Sequence, residues 1–229
     1  MKTLLCLFAA LFLASCKGGS DRDANSDSTS SSERDGDRVT ESDRKDQSPD
    51  VVIIETSMGT IHAKLHRSSA PITVENFLTY VDKGHYDNTI FHRVMSNFMI
   101  QGGGFRITDG FPKELETGNG ITNESADSKK NTRGTLAMAR TNDPNSATAQ
   151  FFINVKDNHN LDHPSMGGYA VFGEVIEGMD VVDAIKEVET GQQVALSLAP
   201  TGRFITSEFS DVPVQPVTIK SIRRAPKSE

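Results

Sequence analysis

Two pairs of histidines have the spacing of metal ligands on a helix. His62 and His66 are four residues apart, and so are His159 and His163. On a helix, residues four apart share one face. The first pair, however, lies in an alternating strand pattern, where both imidazoles join the polar face, and the second lies in a loop that contains Pro and Gly. We therefore expect no metal site and no other cofactor.

The usual residues of covalent catalysis and nucleotide binding are also missing from the sequence. It contains no Gly-x-Ser-x-Gly elbow and no phosphate-binding loop, and no helical pattern follows Gly102–Gly104, which favours a bulge or tight turn there. Both cysteines, Cys6 and Cys16, fall in the first 16 residues, so a disulfide framework is excluded. With 24 basic and 31 acidic residues the net charge is −7, so the charge balance does not indicate nucleic-acid binding.

One ordered set of motifs remains, and it resembles the motifs of a known protein family. In order along the chain these motifs are FHRV (91–94), FMIQGG (98–103), NTRGTLAMAR (131–140), QFFI (150–153) and VFGEVIEGM (171–179). Together they resemble the bacterial branch of the cyclophilin-type peptidyl-prolyl cis–trans isomerases, from about Val51 to Ile222.

The resemblance implies a set of site residues, position by position. Arg93 matches the catalytic arginine. Ten further positions match the substrate groove: Phe98, Met99, Gln101, Ala139, Arg140, Thr141, Gln150, Phe152, Leu161 and Tyr169. Four of these (Phe98, Met99, Phe152 and Leu161) match the pocket for the proline ring, and Gln101 matches the residue that hydrogen-bonds the substrate backbone. Tyr169 stands where a histidine is common, and Arg140 replaces an asparagine that acts through its backbone, so the Arg140 side chain is expected to matter least.

These residue types suit X–Pro isomerisation on chemical grounds as well. Amide resonance opposes rotation with a barrier of about 18–20 kcal/mol, and twisting the bond localises the lone pair of the prolyl nitrogen. A guanidinium can donate a hydrogen bond to that nitrogen in the twisted state and much less in the planar one, so it lowers the barrier. The alternative is a proline-peptide-binding chaperone that uses the same groove with little turnover.

The elements that position this site follow from hydrophobic periodicity. Strands are predicted at 51–55 and 60–65 around a turn, and helices from Pro71 to about Gly84 and from Met179 to Val188. Five further short apolar runs predict strands, at 98–101, 134–138, 151–155, 169–175 and 217–222. Many short strands and only two helices predict a mainly β fold, an antiparallel barrel or sandwich, and the barrel is preferred because a closed sheet leaves no exposed edge. The resemblance implies a closed antiparallel eight-stranded barrel capped by two α-helices. Because side chains alternate along a strand, Phe151 and Phe152 should face opposite ways.

The first 50 residues have the composition of a targeting sequence followed by a flexible spacer. Residues 1–15 read as a lipoprotein signal peptide, since the apolar run is too short for a membrane span and ends in Leu13-Ala14-Ser15-Cys16, which resembles a lipobox. Residues 16–50 comprise the lipidated Cys16 and a disordered tether with eight Ser and eight Asp. Residues 51–229 form the isomerase domain. We expect a monomer, lipid-anchored in a bacterial cell envelope, on a periplasm-facing leaflet, with proline-containing polypeptides as clients.

Overall fold

The computed structural model describes residues 50–199 and 201–226. The predicted signal peptide, the lipidation site Cys16 and all of the tether except Asp50 lie outside the described residues, so these predictions stay predictions. Within the described ranges, no helix is long and apolar enough to cross a membrane.

In the described residues, eleven strands form one continuous sheet, and eight of these strands close into a barrel. In chain order they are β1 (Val51–Thr56), β2 (Gly59–Leu65), β3 (Thr89–Met95), β4 (Met99–Thr108), β5 (Phe111–Glu114), β6 (Thr135–Met138), β7 (Phe151–Asn154), β8 (Val171–Glu177), β9 (Thr190–Leu198), β10 (Phe204–Pro213) and β11 (Thr218–Arg224). The barrel order is β4-β3-β11-β1-β2-β8-β6-β7, and β7 pairs with β4 to close it. All eight barrel pairings are antiparallel. The predicted closed eight-stranded barrel is confirmed.

Within residues 50–199 and 201–226, two α-helices cap the barrel, as predicted. Helix α1 (Pro71–Asp82) begins with the proline in its first turn, where the missing N–H has no intrahelical partner in any case. Its apolar stripe is buried in the main core. Helix α2 (Met179–Lys186) buries Val182 and Ile185 and ends two residues before the predicted Val188. Each helix thus covers barrel surface with one face and leaves the other in solvent.

The barrel interior is filled by every second residue of the strands. Ile100 on β4, Ile153 on β7 and Leu136 on β6 are fully buried in the main core cluster. Their neighbours along each strand point outward, because successive side chains lie on opposite faces. The site described below is built from these outward residues.

Three strands lie outside the barrel, and the sequence patterns did not predict them. Strand β5 pairs with the far end of β4, β9 pairs with β5, and β10 pairs with β9. The long β9–β10 hairpin also returns to lie beside β3. The described residues of this segment, 190–199 and 201–213, had no assigned role, and they form an added wall next to the strand that carries Arg93.

Candidate functional site

A pocket of about 110 Å³ opens on the outer face of the barrel. Nine of the eleven predicted site residues line it: Arg93, Phe98, Met99, Gln101, Ala139, Arg140, Phe152, Leu161 and Tyr169. A cavity of roughly 150 Å³ accommodates a benzene ring, so this space suits one pyrrolidine ring. The pocket floor is a small apolar cluster, separate from the main core, in which Met99, Phe152 and Leu161 are almost fully buried.

The strand pleat divides neighbouring residues between the core and the pocket. Phe151 is fully buried in the main core, whereas Phe152 belongs to the pocket cluster. The opposite faces predicted for these two rings are confirmed. On β4 the same division places Ile100 in the core and leaves Gln101 at the pocket, directly across from Phe152 in the register of β4 and β7.

A β-bulge turns Arg93 toward the pocket. Phe91 pairs with Gly102 and Arg93 pairs with Gln101, so two steps along β3 correspond to one step along β4. In a regular strand Phe91 and Arg93 would share a face, and Phe91 lies in the main core. The extra residue, His92, breaks the alternation, so the guanidinium side chain faces the pocket instead of the barrel interior.

Arg93 and Gln101 are therefore cross-strand neighbours at the edge of the pocket. The Gln101 amide donates from Nε2 to Oε1 of Gln150 at 3.0 Å, and Gln150 donates to Glu114 at 3.3 Å. Glu114 in turn accepts the backbone N–H of Leu198 on β9 at 2.7 Å. Gln150 thus stands beside the pocket and orients Gln101, while the chain of hydrogen bonds runs on to the added hairpin.

One wall of the pocket, formed by Tyr169, depends on the Arg140 side chain. Its guanidinium lies over the Tyr169 ring, 4.2 Å from the centroid, and donates to the carbonyls of Met166 at 2.6 Å and Gly168 at 2.9 Å. These contacts fix the loop that leads into Tyr169. The arginine thus holds a pocket residue in place, a structural role that the sequence analysis did not assign to this side chain.

Two predicted residues lie outside the pocket itself. Thr141 is exposed, and its hydroxyl is hydrogen-bonded to Ser146 at 2.7 Å. Gln150 lines a second cleft of about 440 Å³ on the far side of Arg93 and Gln101. One wall of this cleft comes from the β9–β10 hairpin, through Glu208, Phe209 and Ser210 among others. The two spaces share Arg93 and Gln101 in their linings, so they adjoin each other at these residues.

A comparison with family models identifies this arrangement. Residues 51–224 match the model described as cyclophilin type peptidyl-prolyl cis-trans isomerase/CLD. The chain belongs to the cyclophilin family. Among curated relatives, a peptidyl-prolyl cis-trans isomerase of Streptomyces antibioticus is 53% identical over 176 residues, which is 75% of this chain and 96% of the relative. Peptidyl-prolyl cis-trans isomerase B of Escherichia coli is 48% identical over 176 residues, 75% of this chain and 98% of the relative.

Solved cyclophilin structures agree with the fold. The structure of a Cryptosporidium parvum cyclophilin superposes with a TM-score of 0.60 at 27% identity, and the match covers 79% of this chain and 99% of that one. A second structure of that protein, determined in the presence of the dipeptide Ala-Pro, gives a TM-score of 0.58 at 27% identity, with 77% and 99% covered.

A buried asparagine network supports the pocket in this cyclophilin and was not foreseen from the sequence. Asn154 donates to Oδ1 of Asn131 at 3.1 Å and accepts from Asn158 at 2.7 Å. Asn158 also donates to the carbonyl of Phe98 at 2.8 Å, and Asn131 donates to that of Tyr169 at 3.2 Å. At each end, the network therefore fixes the backbone carbonyl of a pocket residue, Phe98 at one end and Tyr169 at the other. Only long-range contacts reveal this role, since isolated asparagines resemble loop residues.

Two titratable groups beside the site have shifted pKa values. Burial lowers the pKa of His92, the bulge residue, to about 3, so the imidazole next to Arg93 is neutral at physiological pH. Burial alone would raise the pKa of Asp162, but hydrogen bonds from Asn131 and His159 outweigh it and bring that pKa below its ordinary value. Within 50–199 and 201–226, no three His, Cys, Asp or Glu side chains converge as metal ligands would. Among the described residues that line the pocket, the cations are Arg93 and Arg140, and Arg140 already donates to the carbonyls of Met166 and Gly168.

Proposed function

We propose that this protein catalyses cis–trans isomerisation of X–Pro bonds in polypeptides of a bacterial cell envelope and is held there by a lipid on Cys16. The observation that carries the catalytic part is the pairing of Arg93 with Gln101 at the edge of an apolar pocket that fits one ring. The envelope location is inferred from the first 50 residues.

The chemistry follows from what the pocket can hold and what it leaves free. An apolar cluster that includes Met99, Phe152 and Leu161 binds the proline ring by excluding water from it. Gln101, oriented by Gln150, donates a hydrogen bond to the substrate backbone and fixes one side of the X–Pro bond. The other side of the bond is then free to rotate toward the adjoining cleft.

Arg93 supplies the stabilisation specific to the twisted bond. In the planar amide the nitrogen lone pair is delocalised and accepts hydrogen bonds poorly. As the bond twists, the lone pair localises and can accept a hydrogen bond from the guanidinium. An interaction present mainly in the transition state raises the rate, whereas equal binding of both states would not. No bond is broken, so neither a nucleophile nor a cofactor is required.

A protease-coupled prolyl-peptide assay tests the catalytic part of the proposal. The purified protein should accelerate an exchange that takes tens to hundreds of seconds unaided. A proline-peptide-binding chaperone would bind the peptide without accelerating the exchange. Binding without acceleration would therefore contradict the proposed isomerase activity and support the chaperone alternative.

The lipid anchor is tested separately by fractionation. In a host that processes bacterial lipoproteins, the protein should remain with membranes after a high-salt wash, and Cys16→Ser should release it. Two or more acyl chains give stable anchoring, which salt does not reverse. Cys6→Ser, inside the predicted signal peptide, is the matched control and should leave anchoring unchanged. Membrane retention of Cys16→Ser would contradict the anchor without bearing on the isomerase activity.

A further inference from the structure

The β9–β10 hairpin brings a carboxylate to the residue assigned to catalysis. Strand β10 lies beside β3, and Oδ2 of Asp211 is 3.9 Å from Nε of Arg93. Within the described part of the chain, Asp211 is the carboxylate that lies within 4 Å of the Arg93 guanidinium. The contact is made at Nε, so both Nη groups are left available to a substrate.

The backbone at Asp211 is shaped to make this contact. Phe209 pairs with Gln193 and Val212 with Gly191, so β10 carries one residue more than β9 between these pairs. Asp211 lies in this bulge with φ +61°, a left-handed conformation that non-glycine residues seldom adopt and that Asp and Asn tolerate best. Bulges beside active sites re-aim side chains, and this one places a carboxylate at the arginine.

A neighbouring hydroxyl steadies the carboxylate itself. Ser210 donates from Oγ to Oδ2 of Asp211 at 3.2 Å, the same oxygen that approaches Arg93. The Arg93 side chain is 40% exposed and that of Asp211 is 34% exposed. A long, half-exposed arginine samples many rotamers unless something holds it. A fixed charge at its Nε reduces that freedom before the substrate arrives.

We propose that Asp211 is a positioning residue, which holds the Arg93 guanidinium so that its Nη groups face the prolyl nitrogen of a bound substrate. The proposal rests on the proposed function, because it assigns Arg93 the hydrogen bond to the twisted amide. Asp211 acts through Arg93 and does not itself touch the substrate. Its removal should lower kcat more than it changes KM, since the arginine is still present but is less often in the productive position.

The test compares Asp211→Asn with a matched control in the same assay. Asparagine keeps the size and the tolerance for the left-handed backbone but removes the charge. Asp109→Asn makes the same change at another left-handed position, φ +53°, in the exposed turn between β4 and β5. We expect Asp211→Asn to lower kcat by about two- to fivefold, the range for a solvent-exposed ion pair, with KM within twofold. Asp109→Asn should match the wild type.

Two further measurements separate positioning from a purely structural role. The ¹⁵Nε resonance of Arg93, assigned by its loss in Arg93→Lys, should move in Asp211→Asn and stay in place in Asp109→Asn. In the Arg93→Lys background, Asp211→Asn should cause no further loss of activity. Should Asp211→Asn fold poorly, Asp211→Gly removes the carboxylate while the backbone stays relaxed.

The outcomes distinguish this inference from the proposed function. A wild type without isomerase activity would overturn the function, whatever the variants do. An active wild type whose kcat and Arg93 resonance are unchanged in the folded Asp211 variant would overturn the inference alone. An equal loss of activity in the Arg93→Lys background would also overturn it, because Asp211 would then act by another route.

Discussion

The Gly104→Ala substitution tests how closely the barrel packing and the site depend on each other. A Cβ added at Gly104 would collide with the Gln150 side chain, reaching Cγ and lying 2.5 Å from Cδ and 2.7 Å from Nε2. Ordinary contacts of this kind are 3.4–4 Å, so Gln150 must move by about 1 Å or more. The hydrogen bonds of Gln150 to Gln101, at 3.0 Å, and to Glu114, at 3.3 Å, would both break.

The expected consequence is a defect in substrate binding. A neutral hydrogen bond contributes about 0.5–1.5 kcal/mol net, so losing the restraint on Gln101 should raise KM by about two- to tenfold. We expect kcat to stay within twofold, because Arg93 stands on the neighbouring strand and keeps its own position. The assay is protease-coupled isomerisation of a prolyl peptide over a range of substrate concentrations, with circular dichroism to verify the fold.

Two controls make this result interpretable. Gly118→Ala adds the same methyl group where its nearest neighbour, the Tyr80 hydroxyl, is at an ordinary 3.6 Å, and it should behave as wild type. In a Gln150→Ala background the Gly104→Ala change should have no further effect, since the collision is gone. Wild-type KM in Gly104→Ala, or an equal loss in the Gln150→Ala background, would refute the role given to Gln150.

Three other substitutions address the pH dependence of stability, the pocket wall and the buried network. His92 is neutral when folded down to a pH of about 3 but binds a proton near pH 6.5 when unfolded, so acidification from 6.5 toward 3 should lower the free energy of unfolding. The loss is about 1.4 kcal/mol per pH unit, up to about 5 kcal/mol in total. In urea denaturation at a series of pH values, the free energy of unfolding of His92→Phe should therefore fall less steeply with acidification than that of the wild type, by the same amount. Equal pH dependence in the two proteins would contradict the lowered pKa. Arg140→Lys keeps the positive charge but loses the planar guanidinium over Tyr169, so the KM for the peptide should rise by about fivefold and Tm should fall by about 2–4 °C. An unchanged KM would mean that the Tyr169 wall keeps its position without the guanidinium. Asn154→Ala strips partners from buried amides, including that of Asn158, so urea denaturation should show a loss of about 3 kcal/mol or more; a loss below about 1 kcal/mol would mean that the network is not a support.

The helix positions and seven of the barrel strands could be predicted because they follow from local periodicity. No pattern predicted β3, and the eight-stranded closure came from the family resemblance. The apolar spacing of α1 and the alternation of β1 and β2 each need only a few consecutive residues, and both match the structure. The opposite faces of Phe151 and Phe152 follow from the pleat alone. Nine of the eleven site residues predicted from short motifs line one pocket, whereas Thr141 lies outside it and Gln150 stands beside it. Their roles in catalysis and binding stay predictions.

The added hairpin could not be predicted because its strands lack a clean pattern. Much of β9 and most of β10 is exposed or half-buried, so burial does not enforce an apolar alternation. Ala195, Phe105 and Ile90 form a separate small cluster that attaches the hairpin to the barrel. These three residues are far apart in the sequence, and only the fold brings them together.

The direction of the Arg93 side chain was equally beyond sequence patterns. Regular alternation would bury the arginine with Phe91, and the bulge at His92 reverses it. A single-residue change in register leaves no periodic signal over so short a strand. The contributions of Arg140 and of the asparagine network were missed for a related reason, since hydrogen bonds to distant backbone carbonyls depend on tertiary contacts.

The account depends most directly on whether Arg93 stabilises the twisted bond. Isomerisation kinetics and peptide affinity should be measured for the wild type and for Arg93→Ala, with affinity taken from a calorimetric titration of a proline-containing peptide. A hydrogen bond to a charged group contributes about 1.5–3 kcal/mol, so kcat/KM should fall by roughly 10- to 150-fold while the peptide Kd changes only a few-fold. A folded Arg93→Ala protein with near-wild-type turnover would contradict the mechanism.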